Sequence, residues 1–209
     1  MSVTAFGLCM AIAAASAGPY PLPDDRVKLA CDNAQTLIDA ADKYDLDPFI
    51  MAGLVYVESR WTPDAVSRSN ACGLTQVLPK YAPETCEQLK DPTTSLYAGS
   101  RALRKWSTIR KWDKEKKKYV RVPRKGGMKV SLACYNAGNA CDKSSRGRAY
   151  SHKIRKISSW LKAWVKASPT KTDNVDGKHP RVTFIHPVLE ESGVSEIMFY
   201  TPVHPVYTF

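Results

Sequence analysis

The sequence predicts a mainly α-helical chain of α+β type: a helical bundle, a small irregular or β segment, and a C-terminal extension with short strands. Three observations predict it. Apolar residues recur at helical spacing in several segments between residues 30 and 166. Residues 60–90 are rich in Pro, Asn, Ser and Gly, which suit turns and short elements. The last thirty residues are rich in β-branched and aromatic side chains, which favour strands.

The chain divides into 1–17, 26–167 and 168–209. Residues 3–17 form an apolar run of small residues, short for a membrane span and of the length of a signal-peptide core. Ala15-Ser16-Ala17 fits a cleavage pattern with a cut before Gly18, but no Lys or Arg precedes the run. Two readings stay open: a cleaved signal peptide, or an uncleaved segment buried in an assembly or lying in a membrane. GPYPLPDD follows as an extended linker.

Ala30, Ala34, Leu37, Ile38, Ala41 and Tyr44 then share one face of a single predicted helix. Asp47-Pro48 is an N-cap acid followed by Pro at the first helical position. The helix it opens is apolar all round, hence buried, and Glu58 stands at its C-terminal end. Asp91-Pro92 opens another helix, with Leu96, Gly99 and Leu103 inward. The charged stretch 107–129 predicts a protruding loop or hairpin. KVSLACYNAG predicts a short helix stopped by Gly138. A helix over 148–166 carries Tyr150, Ile154, Ile157, Leu161, Trp164 and Val165 as its apolar stripe. Residues 167–180 read as a polar linker and the remainder as short strands.

The formal net charge of +11 favours anionic partners: nucleic acid, an anionic cell wall or a membrane surface. Basic residues occur along the whole chain without a nucleic-acid motif, so no specific nucleic acid is expected. With Cys9 set apart in the apolar run, five cysteines remain, and at least one of them stays unpaired within the chain. Cys72–Cys86 and Cys134–Cys141 close short loops and are the expected pairs. No C-x-x-C occurs and the four His are scattered, so neither a metal nor another cofactor is expected.

The chemistry rests on ESRWTPDAVSRSNACGLTQVLP, residues 58–79. Apolar neighbours and the negative end of a helix dipole both disfavour an ionised Glu58. That raises its pKa toward the range a general acid needs. The string resembles the soluble lytic transglycosylase family of the lysozyme-like superfamily, whose signature reads E-S-x-F-x-P-x-A-x-S-x-x-G-A-x-G-L-x-Q-x-x-P. Trp61 replaces Phe, and Asn70 replaces a Gly, where Asn tolerates a left-handed backbone. Asp91-Pro92 with Leu96, Gly99 and Leu103 resembles the next block, with Ser95 in place of Asn. Ala133 to Gly138 resembles A-x-Y-N-A-G, and Tyr150 to Ile154 resembles the Y-V-x-x-I helix.

The resemblance implies a lysozyme-like fold and an enzyme acting on peptidoglycan strands. Glu58 would protonate the oxygen between N-acetylmuramic acid and N-acetylglucosamine, then serve as base for the muramic 6-hydroxyl, leaving a 1,6-anhydro end. Gln76, Tyr135 and Asn136 would line the cleft, Ser59 would orient the acid, and Gly73 and Leu74 would shape the floor where the sugar approaches. Most glycosidases use two carboxylates. Asp64 is a weak candidate for a second, and Asp91 reads as a helix cap. Competing readings are a hydrolase like goose-type lysozyme, and a docking component with dispensable catalysis. The resemblance also implies an exported or periplasmic setting, or carriage in a phage particle; segments 107–129 and 180–209, which lie outside the quoted motifs, are candidates for docking onto a phage or secretion assembly.

Overall fold

The computed structural model describes residues 3–141 and 143–168, and the backbone of 170–174, 180–184 and 197–199. The chain divides into two units, Met1–Leu161 and Lys162–Phe209.

The first unit opens with α1 (Ala5–Ala17), whose first turn is capped by the Thr4 hydroxyl accepting from Gly7 N at 3.1 Å. α2 (Asp24–Asp32) and α3 (Ala34–Lys43) follow where the apolar spacing predicts one helix. The break is at Asn33, whose backbone leaves helical geometry while its side-chain amide donates to Leu29 O at 2.9 Å. Asn competes for backbone carbonyls in this way, which makes it a natural helix end. α1 packs on α2 and α3, with Leu8, Ala11, Ile12 and Ala15 buried. Cys9 bonds Cys31, so the expected leftover thiol does not exist: folding α1 onto α2 supplies the sixth partner. The other two disulfides are Cys72–Cys86 and Cys134–Cys141, as the spacing suggested. Among the described residues no helix is long and apolar enough to cross a membrane.

α4 (Pro48–Ser59) begins as predicted, with the Asp47 carboxylate accepting from Phe49 N at 2.9 Å. Its residues 49–55 are buried throughout. An irregular stretch follows, with bridges Val66↔Cys72 and Cys72↔Val77, a 3-10 turn Pro79–Tyr81 and the short α5 (Cys86–Leu89). α6 (Pro92–Trp106) is capped by Asp91, which accepts from Thr94 N at 2.8 Å. The charged insert forms an antiparallel hairpin, β1 (Thr108–Asp113) and β2 (Lys118–Pro123). Asp113 shapes its turn by accepting from Glu115 N and Lys116 N. α7 (Gly127–Ala137) and α8 (Ser145–Ala167) complete the helices.

α3 packs on α4 and α6, and α6 on α7. Leu37, Met51, Leu54, Leu96, Leu103, Leu132 and Ile154 are fully buried between these helices. Each such side chain contributes about 1.5–3 kcal/mol relative to exposure.

In the second unit, β3 (Thr170–Asn174), β4 (Pro180–Phe184) and β5 (Ile197–Phe199) form an antiparallel sheet in the order β3-β4-β5. The last two fall in the expected strand region. β3 lies in the stretch read as a polar linker. Its polar composition hid it, because strand formation there depends on pairing with β4 rather than on an apolar pattern of its own.

Candidate active site

Two helices cross where α4 meets α8. A side chain at Gly53 would put its Cβ 2.9 Å from Ile154 O, so glycine is what allows this approach. Five residues beyond Gly53 lies Glu58, and four before Ile154 lies Tyr150. Their side chains meet: the Tyr150 hydroxyl donates to Glu58 Oε1.

Glu58 is partly buried in the last turn of α4. Burial raises its pKa from 4.5 to about 7, and the Tyr150 hydrogen bond pulls the other way. The upward direction expected from the apolar flank is therefore present. The carboxyl in turn acts on two tyrosines. Burial first, then the field of Glu58, pushes the hydroxyls of Tyr135 and Tyr150 well above their ordinary range. Both phenols stay protonated donors at neutral pH.

The chain turns sharply after the acid. Arg60 and Trp61 both have positive φ, 50° and 60°. Trp61 is 1% exposed and belongs to the core. Asn70 is left-handed, with φ 60°, as its substitution for Gly requires.

Residues 73–76 form a loop held by three helices. From the end of α4, Ser59 Oγ donates to Leu74 O at 2.8 Å. From α6, the Ser95 hydroxyl accepts from Thr75 N at 3.1 Å, and Thr75 Oγ1 donates to Ser95 O at 2.7 Å. From α7, Tyr135 OH donates to Thr75 O at 2.8 Å. Ser95, which departs from the family pattern, thus does not cap α6, a task Asp91 performs. It is a buried clasp on this loop. Gly73 is required by its backbone conformation and by close packing. At φ 76° a side chain is strained, and its Cβ would stand 1.8 Å from Leu89 O. The missing side chain makes room for α5. Leu74 is fully buried, so neither residue offers a side chain to a ligand.

Gln76 has φ 51°, and its amide donates to Ala65 O at 2.9 Å and Gly73 O at 3.0 Å. It stabilises the loop, while its remaining surface borders a groove of about 910 Å³. Tyr135 and the exposed Asn136 line the same groove. Glu58 is not among the lining residues. Tyr135 belongs to both places, lining the groove and interacting electrostatically with Glu58. Asp64 is exposed and interacts with Lys90, not with Glu58. Among the described residues, no cluster of three His, Cys, Asp or Glu could hold a metal ion.

The transglycosylase SLT domain family model matches residues 35–158. The chain belongs to that family. Its match spans α3 through most of α8 and includes every predicted site residue. A transglycosylase of Enterobacteria phage PRD1 is 28% identical over 124 residues, 58% of this chain and 41% of that protein. A solved structure of an inactive mutant of the lytic transglycosylase Slt from Pseudomonas aeruginosa matches with a TM-score of 0.54 and 17% identity. It covers 75% of this chain and 28% of that one. That likeness establishes the lysozyme-like α+β fold of this SLT domain. The chain spans under half the length of either relative.

Tyr150 is the site residue that sequence reasoning missed. The Y-x-x-x-I match marked its position, but its helical spacing assigned it to the apolar stripe of α8.

Proposed function

We propose that this SLT domain is a peptidoglycan lytic transglycosylase with Glu58 as its single acid and base. One observation carries the reading: a partly buried carboxyl whose pKa is about 7 accepts from Tyr150 and acts electrostatically on Tyr135, and among the described residues no second carboxylate contributes to its titration. A group with this pKa is protonated often enough at neutral pH to give a proton, and basic enough afterwards to take one.

In the first step the Glu58 proton passes to the glycosidic oxygen as the bond from the muramic C1 to that oxygen breaks. N-acetylglucosamine leaves with a new hydroxyl. The Glu58 carboxylate then takes the proton of the muramic 6-hydroxyl, whose oxygen bonds C1. The anhydro ring closes, Glu58 is protonated again, and no water is consumed. An internal nucleophile needs no second carboxylate to activate or replace water. Its proximity is worth about 7 kcal/mol or more of barrier. Tyr150 holds the carboxyl and stabilises its charged form between the two steps. Gln76, Tyr135 and Asn136 border the strand, and Ser59 fixes the loop beside the acid.

The similarity to the phage transglycosylase and to the lytic transglycosylase Slt supports the activity. Three disulfides support a setting outside the reducing cytoplasm, in the periplasm or carried there by a virion. The C-terminal strands would then serve docking onto a phage or secretion assembly. The test of the acid is Glu58→Gln on purified peptidoglycan. Clearing is expected to fall by about a thousandfold or more, the scale of losing a general acid together with the base. Clearing at the wild-type rate would overturn the assignment.

A further inference from the structure

The groove beside Tyr135 has a second wall, most of it between the Asp91–Leu103 and Ala133–Gly138 motif blocks. It is built from the β1–β2 hairpin and the end of α6, and it is cationic: Arg101, Lys105, Arg110, Arg121 and Arg124 all line it. Although basic residues occur throughout the chain, their excess is concentrated here. Between Lys105 and Lys129 there are eleven Lys and Arg and two acids, against a net +11 for the whole chain.

Apart from Arg101, the basic residues of the wall are held by neutral partners rather than by carboxylates. Arg101 pairs with Glu84 at 2.6 Å. No described carboxylate pairs with Lys105, Arg110, Arg121 or Arg124. Arg121 instead donates to Thr108 Oγ1 at 2.6 Å, and Arg124 Nε donates to Trp106 O at 2.7 Å. Arg110 lies over the Tyr119 ring at 4.9 Å, and that ring stacks edge-on with Trp112 at 5.2 Å. Arg110 and Arg121 are direct register partners across the hairpin. Like charges directly opposite destabilise a hairpin, and an anion between them removes that cost. Their forked donors suit a planar carboxylate bound through two hydrogen bonds.

We propose that this wall is a subsite for the carboxylates of the peptide branch on a muramic residue, with Arg110 and Arg121 as its specificity-determining residues; the reading rests on the proposed action on peptidoglycan. The groove runs from Gln76, Tyr135 and Asn136 to the two arginines, so a strand bordering the first set carries its branches toward the second. Its volume of about 910 Å³ accommodates a peptide branch beside a sugar. The concave shape fits a branch better than the flat face of a bilayer.

The test is a calorimetric titration of the full chain with the tetrapeptide L-alanyl-γ-D-glutamyl-diaminopimelyl-D-alanine and with the same peptide amidated at its carboxyls. The acid form should bind, more weakly as salt rises, and the amidated form should not. Arg110→Gln and Arg121→Gln should each weaken binding about tenfold, the scale of one charge-assisted hydrogen bond, and Arg110→Lys should restore part of it. Equal binding of both peptides, no binding, or unchanged affinity in the Gln variants overturns the subsite. So does retention on phosphatidylglycerol vesicles through Arg110 and Arg121 with no response to the tetrapeptide, which makes the wall a membrane contact. Cleavage separates this proposal from the activity. Arg110→Gln should raise KM on peptide-bearing strands, keep kcat, and leave peptide-stripped strands unaffected. A chain that binds the tetrapeptide but cleaves no strand retains the subsite and loses the activity. One that cleaves both substrates with equal kcat/KM retains the activity and loses the subsite.

Discussion

Replacing Glu58 by Gln tests the buried acid through stability, independently of any substrate. The carboxyl has a pKa of about 7 in the folded chain against 4.5 when unperturbed. Below pH 4.5 both states hold the proton and the group contributes no pH dependence. As the pH rises from 4.5 to 7 the unfolded chain ionises first, so the folded state loses stability, and above 7 the loss is complete. At about 1.4 kcal/mol per pH unit the full gap is about 3 kcal/mol, and the part of the carboxyl that meets solvent brings the expected value to about 2–3 kcal/mol. Gln has no charge to desolvate, and its carbonyl can still accept from Tyr150. Glu58→Gln should therefore match the wild type at pH 4 and exceed it by about 2–3 kcal/mol at pH 8.5. Urea unfolding at pH 4, 6 and 8.5 reads this as a midpoint gap that opens to about 1 M, given a slope of about 2 kcal/mol per molar. A gap that stays constant with pH, or a variant that loses ground as pH rises, refutes the buried-acid reasoning.

Tyr150→Phe removes the hydrogen bond that lowers the Glu58 pKa. The alkaline limb of kcat/KM, expected near pH 7 in the wild type, should move up by about one pH unit; a shift to lower pH contradicts the role. Gly73→Ala meets Leu89 O and a positive φ together, so urea unfolding should show a loss of at least about 3 kcal/mol; a loss under about 1 kcal/mol contradicts the close approach. The packing of α1 and the Cys9–Cys31 bond predict that residues 1–17 stay with the mature chain. Intact mass of the protein isolated from cells, under non-reducing and reducing conditions, should include residues 1–17, and a reduced chain beginning at Gly18 contradicts this.

Local chemistry made much of the fold legible. Asp47-Pro48 and Asp91-Pro92 announce helix starts because an acid cap and a proline need no tertiary partner. The same holds for the Gly138 stop and the charged hairpin. What escaped depends on contacts distant in sequence. The break at Asn33 lies inside an unbroken apolar stripe. Cys9 finds Cys31 only once α1 folds back. β3 exists through its pairing with β4. At the site, the apolar flank predicted the raised pKa of Glu58, and the family signature over residues 58–79 singled it out. Tyr150 could not be singled out, because its partner is 92 residues away and only the α4–α8 crossing at Gly53 brings them together. Gly73 was visible as a required glycine, but Leu89, the neighbour that requires it, was not.

The most direct test of the central claim is the mass of the products released from purified peptidoglycan. One carboxyl working with the sugar's own 6-hydroxyl predicts fragments ending in 1,6-anhydro-N-acetylmuramic acid, each lighter by one water than the hydrolytic product. Fragments ending in reducing N-acetylmuramic acid from the start of the reaction would contradict it.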